Sequence, residues 1–153
     1  MNKVKDHIYL ENVPGENLRF LNFRGIEIPP YNAKGQRNFW VDILDEELAN
    51  KLASDGWNIK FSEPSEDGRQ YPPRIQVKVS FKNENMLPKI MMEQAGNKVY
   101  LNEETIGDLD DMEIIVVKAI EIRPYNWEVK GECGVSAYLD KMRIEVARDI
   151  FCD

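Results

Sequence analysis

The residues that could carry chemistry are few: one histidine, two cysteines, an acidic run, and basic residues set among aromatics. Nucleophilic catalysis needs a base beside the nucleophile, most often a histidine. The single histidine, His7, has no serine or cysteine near it in sequence. Cys133 and Cys152 lie far from it and give no zinc spacing. These three read as a surface imidazole and two reduced thiols. The carboxylates of Asp108, Asp110 and Asp111 are donors that hard cations take, yet their spacing is not that of a calcium loop. Gly131-Glu132-Cys133-Gly134 reads as a turn with too few glycines to cradle phosphates, and there is no P-loop or dinucleotide fingerprint. No catalytic residue, metal or cofactor is expected; the chain reads as a binding protein, not an enzyme.

The basic residues give more. Arg24 follows Phe23; Lys34 lies close to Arg37-Asn38-Phe39-Trp40; Trp57 is near Lys60; Arg74 and Lys78 share a strand face; Tyr125 and Trp127 precede Lys130. A groove in which Lys and Arg track phosphates while rings stack on bases is what single-strand binding requires. The same residues fit a plainer account. Aromatic residues of β proteins mostly fill cores, and Phe20, Phe39, Phe61 and Phe81 fall on apolar parities and are expected inside. Trp40 and Trp57 are open between core and groove, and Arg74, Gln76 and Lys78 also fit a solvated face. The net charge of −7 argues against a general polyanion binder unless the cations gather on one face.

Short segments between turn signals must position these residues. Strands are expected over 6–12, 17–24, 37–44, 57–61, 74–81, 113–122 and 136–146, with a hairpin of 89–94 and 98–101 across Gly96-Asn97. In the second, Leu18 and Phe20 point one way and Arg19, Leu21 and Phe23 the other. The 74–81 strand is the cleanest, with Ile75, Val77, Val79 and Phe81 alternating against Arg74, Gln76, Lys78 and Ser80. Residues 46–54 read as a helix with Asp45 as N-cap, Glu46 and Glu47 in the first turn and Gly56 ending it. Residues 103–110 make a helical turn or two, and 64–73 a loop. This order predicts a mainly β fold, an OB-like Greek-key barrel with an inserted helix and an extra hairpin. The 153 residues suit one domain, 1–153. No apolar run approaches the roughly 20 residues of a membrane span, and Met1–His7 lacks the apolar stretch of a secretory signal. A cytoplasmic location follows as the expectation.

Two stretches carry a resemblance. Asn22-Phe23-Arg24-Gly25 is followed by Gly35-Gln36-Arg37-Asn38-Phe39-Trp40-Val41, then the helix and Asp55-Gly56-Trp57-Asn58-Ile59-Lys60. Later come Pro124-Tyr125-Asn126-Trp127-Glu128-Val129 and Gly134-Val135-Ser136-Ala137-Tyr138-Leu139 with Met142. From about Leu18 to about Val146 this layout resembles small phage and prophage proteins taken to be single-stranded-DNA-binding proteins with an OB-fold. The resemblance implies a five-stranded barrel and a strand-binding groove for which Arg24, Arg37, Trp57, Lys60, Tyr125 and Trp127 are the matching residues. It implies single-stranded DNA as partner, replication or recombination proteins beside it, and a host cytoplasm if phage-encoded. Such proteins commonly end in a flexible acidic tail. Here the sequence ends Arg148-Asp149-Ile150-Phe151-Cys152-Asp153, where Phe151 and Asp153 would form at most a minimal docking motif.

The leading expectation is therefore sequence-tolerant single-strand binding in phage-type replication or recombination. Phosphates would meet Arg24, Arg37, Lys60, Arg74 and Lys78, and bases would stack on Trp40, Trp57, Tyr125 and Trp127. The rival is an acidic protein–protein module that binds a host factor or mimics DNA, which requires a coherent patch of carboxylates. A weaker third is a phage assembly protein, marked by an exposed apolar patch or long edge strand. Pairing of copies through an edge such as 89–101 is left open.

Overall fold

A computed structural model describes residues 3–148. Nine strands and one α-helix follow one another: β1 Ile8–Pro14, β2 Leu18–Asn22, β3 Arg37–Asp42, α1 Glu46–Asp55, β4 Ile59–Lys60, β5 Arg74–Val79, β6 Lys89–Gln94, β7 Asn97–Leu101, β8 Ile114–Val129 and β9 Glu132–Val146. The helix forms where its ends are stabilised. The Asp45 carboxylate accepts from the N–H groups of Glu47 and Leu48, and Gly56 closes the last turn at φ 117°. Ala49 and Leu52 are the buried face. In β5 the strict alternation of the sequence holds, with Ile75, Val77 and Val79 buried.

The strands form one sheet of order β1-β8-β9-β5-β3-β2, with β4 added to β5 and the β6–β7 hairpin added to β9. β9 is the hub. It pairs antiparallel with β8 along most of its length, and parallel with β5 near Ala137 and with β6 from Lys141 to Glu145. The core collects the inward residues of these strands, among them Phe39, Val77, Ile90, Ile120, Leu139 and Ile144. The mostly β fold with one inserted helix and an extra hairpin is as the sequence implies. The barrel does not close: β1 and β2 stand at the two ends of the pairing order. No helix among the described residues is long and apolar enough to cross a membrane. Cys152, Phe151 and Asp153 lie outside the described residues.

Three local expectations are corrected. First, β8 does not stop at residue 122, and the turn expected over Gly131–Gly134 is confined to Lys130-Gly131, with Glu132–Gly134 already in β9. β8 and β9 continue as a long ribbon closed by Lys130-Gly131, both at positive φ (52° and 83°), the conformation that two-residue hairpins use. Pro124 lies within this continuation. It is tolerated because pairing with β1 ends at Ile122, so β8 is an edge there. Asn126 extends the edge: its side chain accepts from the Val4 N–H at 2.9 Å and donates to the Val4 carbonyl at 2.8 Å. Second, Phe20 is not core. Its φ is +54° at a register shift between β2 and β3, so it leaves the face of buried Leu18 and is 65% exposed. Third, only Ile59–Lys60 of 57–61 pairs as strand, leaving Phe61 half exposed.

Candidate nucleic-acid interface

β5 and β9 touch over two residue pairs, Val77 with Ala137 and Lys78 with Tyr138. On the N-terminal side of that contact the strands part, and a cleft of about 860 Å³ opens between them. One wall is Gly56–Lys60, Ile75, Gln76, Lys78 and Trp40; the other is the β8–β9 ribbon with Trp127 and Cys133–Ala137. Trp127 faces Gly134 across the ribbon. A Cβ at Gly134 would lie 2.6 Å from Cζ2 of the indole, so glycine is what lets the ring lie against the β9 backbone.

Cations and rings alternate beside the cleft. The guanidinium of Arg74 lies 5.5 Å from the Phe20 ring centre and 5.3 Å from that of Trp40, and the ammonium of Lys60 is 5.8 Å from Trp40. Strand pairing sets this ladder, since Lys60 stands opposite Arg74 and Trp40 opposite Gln76. A second group sits on the β8–β9 ribbon. Arg123 lies 5.0 Å over Tyr138, and Tyr125 meets Tyr138 edge-on at 5.9 Å. Lys78, opposite Tyr138, links the two groups. Such contacts fix a cation's place at about 0.5–1 kcal/mol each without neutralising it. Lys60, Arg74, Lys78 and Arg123 make no ion pair among the described residues. The Nε groups of Arg74 and Arg123 are buried without a hydrogen-bond partner, and such donors are seldom left unmet.

Of the nine residues expected from the sequence, five line the cleft: Trp40, Trp57, Lys60, Lys78 and Trp127. Arg74 touches Trp40, and Tyr125 shares the parity of Trp127 on β8. Trp57 is only 4% exposed, so it forms wall and floor and offers no free ring face. Arg24 and Arg37 are not brought there. Arg24 forms a two-point ion pair with Asp111, whose carboxyl is thereby held below its usual range. Arg37 lies 5.6 Å over Phe81 and donates to the Glu103 carbonyl at 3.4 Å, on the parity of buried Phe39.

A family model described as "Putative phage ssDNA-binding domain" matches residues 2–152. The chain belongs to this phage ssDNA-binding domain family. No curated protein matches the chain. Among solved structures, the single-stranded DNA-binding protein from bacteriophage Enc34 with a C-terminal truncation is similar at TM-score 0.55 and 13% identity, over 95% of this chain and 92% of that one. The same phage protein in complex with ssDNA gives TM-score 0.55 and 13% identity over 94% and 92%. At that identity the likeness is one of fold. It is a DNA-binding family, not an enzyme family.

In this member of the phage ssDNA-binding domain family, sequence reasoning missed Phe20, Arg123 and Tyr138. The signal for Arg123 was present: Arg123, Tyr125 and Trp127 alternate with period two, which a strand read through Pro124 would have put on one face. In an unbroken 136–146 strand, Tyr138 would share the parity of Met142. A β9 residue without a simple partner at Asp140 reverses that parity. Beyond Lys60, Phe61 and Tyr71 border a further hollow of about 370 Å³.

Proposed function

We propose that this chain binds single-stranded DNA, with the strand laid across the outward face of β5, β9 and the β8–β9 ribbon and into the cleft between them. Lys60, Arg74, Lys78 and Arg123 meet phosphates, while Trp127, Tyr125 and Phe20 offer ring surface to bases. Trp40 holds the cations of Lys60 and Arg74 in place, and Trp57 supports the cleft wall. The observation that carries this reading is the cleft itself, where unpaired cations and aromatic rings from three separate parts of the chain meet. Membership of the family and the fold shared with a phage protein solved with ssDNA support it. A part in phage-type replication or recombination, in a host cytoplasm and beside proteins of those processes, is the finer form of the same proposal.

The test is a titration of the purified protein with labelled oligo-dT and with a duplex of equal length, following tryptophan emission. Tight single-strand binding with quenched emission, and weaker duplex binding, is the expected result. Absence of binding to either at low salt would overturn the reading.

A further inference from the structure

Away from the cleft, three residues distant in sequence meet on the outward face of β1, β8 and β9. His7 immediately precedes β1, Glu121 is on β8 and Asp140 on β9. Their ligating atoms all lie within 4.8 Å of one another. His7 Nδ1 is 2.9 Å from Glu121 Oε2 and 4.0 Å from Asp140 Oδ2. An irregularity in the sheet makes the meeting possible. Glu121 pairs with Lys141 and Ile122 with Leu139, so β9 carries one extra residue there, Asp140. Leu139 and Met142 are buried, while Asp140 and Lys141 both stand outward. Strict alternation would send one of these two charges into the core; the bulge re-aims Asp140 beside Glu121.

Three ligating atoms from separate parts of the chain converge here. The donor set is one imidazole nitrogen and two carboxylate oxygens. Tetrahedral zinc takes such ligands at about 2.0–2.2 Å, which sets neighbouring ligands roughly 3.4 Å apart. The observed 2.9 and 4.0 Å bracket that separation. We infer that His7, Glu121 and Asp140 form a binding site for a divalent transition-metal ion of the zinc type. Three protein ligands leave one position for water. Magnesium fits worse, because it demands near-octahedral oxygen ligands and has little use for imidazole. Spacing in the sequence gives no hint of this site, since each ligand comes from a different strand region.

The experiment is zinc titration of metal-stripped full-length protein by calorimetry, with cobalt absorption as a second readout and magnesium as a comparison. One equivalent of zinc should bind, with a cobalt spectrum and a raised melting temperature. His7→Ala and Asp140→Asn should each weaken zinc binding by more than the roughly 10–100-fold that loss of an outer-shell partner costs. The Cys133→Ser/Cys152→Ser double variant should retain it. Melting in the absence of metal shows whether each variant is folded; should His7→Ala fail to fold, His7→Gln replaces it. No zinc binding, binding unchanged in the His7 and Asp140 variants, loss in the cysteine variant, or magnesium bound as tightly as zinc would each overturn the inference. Binding of oligo-dT by His7→Ala is read separately, so failure of the metal site and failure of the DNA reading remain distinguishable.

Discussion

At the scale of single residues, Trp127 and Trp57 look alike in the sequence and do different work in the fold. Trp127 stands on the ribbon with its ring against Gly134, whereas Trp57 is buried in the cleft wall. Stacking of one base on an aromatic ring contributes about 1–3 kcal/mol. Trp127→Ala should therefore weaken oligo-dT binding about 5- to 150-fold and leave urea melting nearly unchanged, as fluorescence anisotropy and denaturation will show. Gly134→Val should weaken binding too without altering the ring, because the new side chain would start 2.6 Å from Cζ2 and displace it. Trp57→Ala is a folding variant. Emptying so buried a site costs about 3–5 kcal/mol, so a large drop in urea midpoint is expected.

At the scale of elements, the site depends on supports that never touch it. Helix α1 delivers Gly56–Lys60 to the cleft. Asp45→Ala should remove its N-cap and about 1 kcal/mol of stability, seen as a lowered melting temperature. The segment after β2 is tied down by Asp110, which accepts the N–H groups of Phe23 and Arg24 at 2.9 and 3.0 Å, while Asp111 pairs with the Arg24 side chain. Because the Asp111 carboxyl is lowered from 3.8 by Arg24, its contribution is present above that value. It is lost as pH falls through the folded-state value. Urea midpoints of wild type and Arg24→Gln should thus differ most above pH 4 and converge in stronger acid; a difference that grows towards low pH would contradict the pairing. The same elements show what the sequence carried. Helix α1, its two caps, β5 and the β6–β7 hairpin were legible because local chemistry and period agree there. β2 and β9 at Asp140 were not, because a positive φ at Phe20 and a bulge each shift the side-chain parity on which the reading rests, and the β8–β9 ribbon was not, because it runs on through a proline that only an unpaired edge tolerates. The site was legible as a composition and only half legible as a place. Lys60 and Lys78 line one cleft with Trp40, Trp57 and Trp127, while Arg24 and Arg37 are cations that the tertiary fold directs to other partners.

At the scale of the whole molecule, a chain of net charge −7 must attract a polyanion against its own field. What decides is where the charge lies. Lys60, Arg74, Lys78 and Arg123 surround the cleft without ion pairs among the described residues, while Arg24, Lys51 and Lys118 are paired with carboxylates elsewhere and Arg19 with buried Asp42. At contact distances within a Debye length, about 8–10 Å at ordinary ionic strength, the strand meets the local cations first, and the remote acids are largely screened. Four phosphate contacts on single-stranded DNA predict a slope of log affinity against log salt of about −3, from roughly −0.7 per contact. Lys78→Ala should make that slope shallower by about 0.7 and weaken binding evenly across oligo-dT, oligo-dC and mixed sequences. Asp42→Asn would not be a neutral control, since Asp42 is buried and holds Arg19 at 2.8 Å; Glu63→Gln, on an exposed loop, is the fitting one. A salt slope near zero would mean that the cations are not the contacts. With a slope near zero the face would bind by ring surface alone; with a steep slope unmoved by Lys78→Ala, Lys78 would not be one of the contacts.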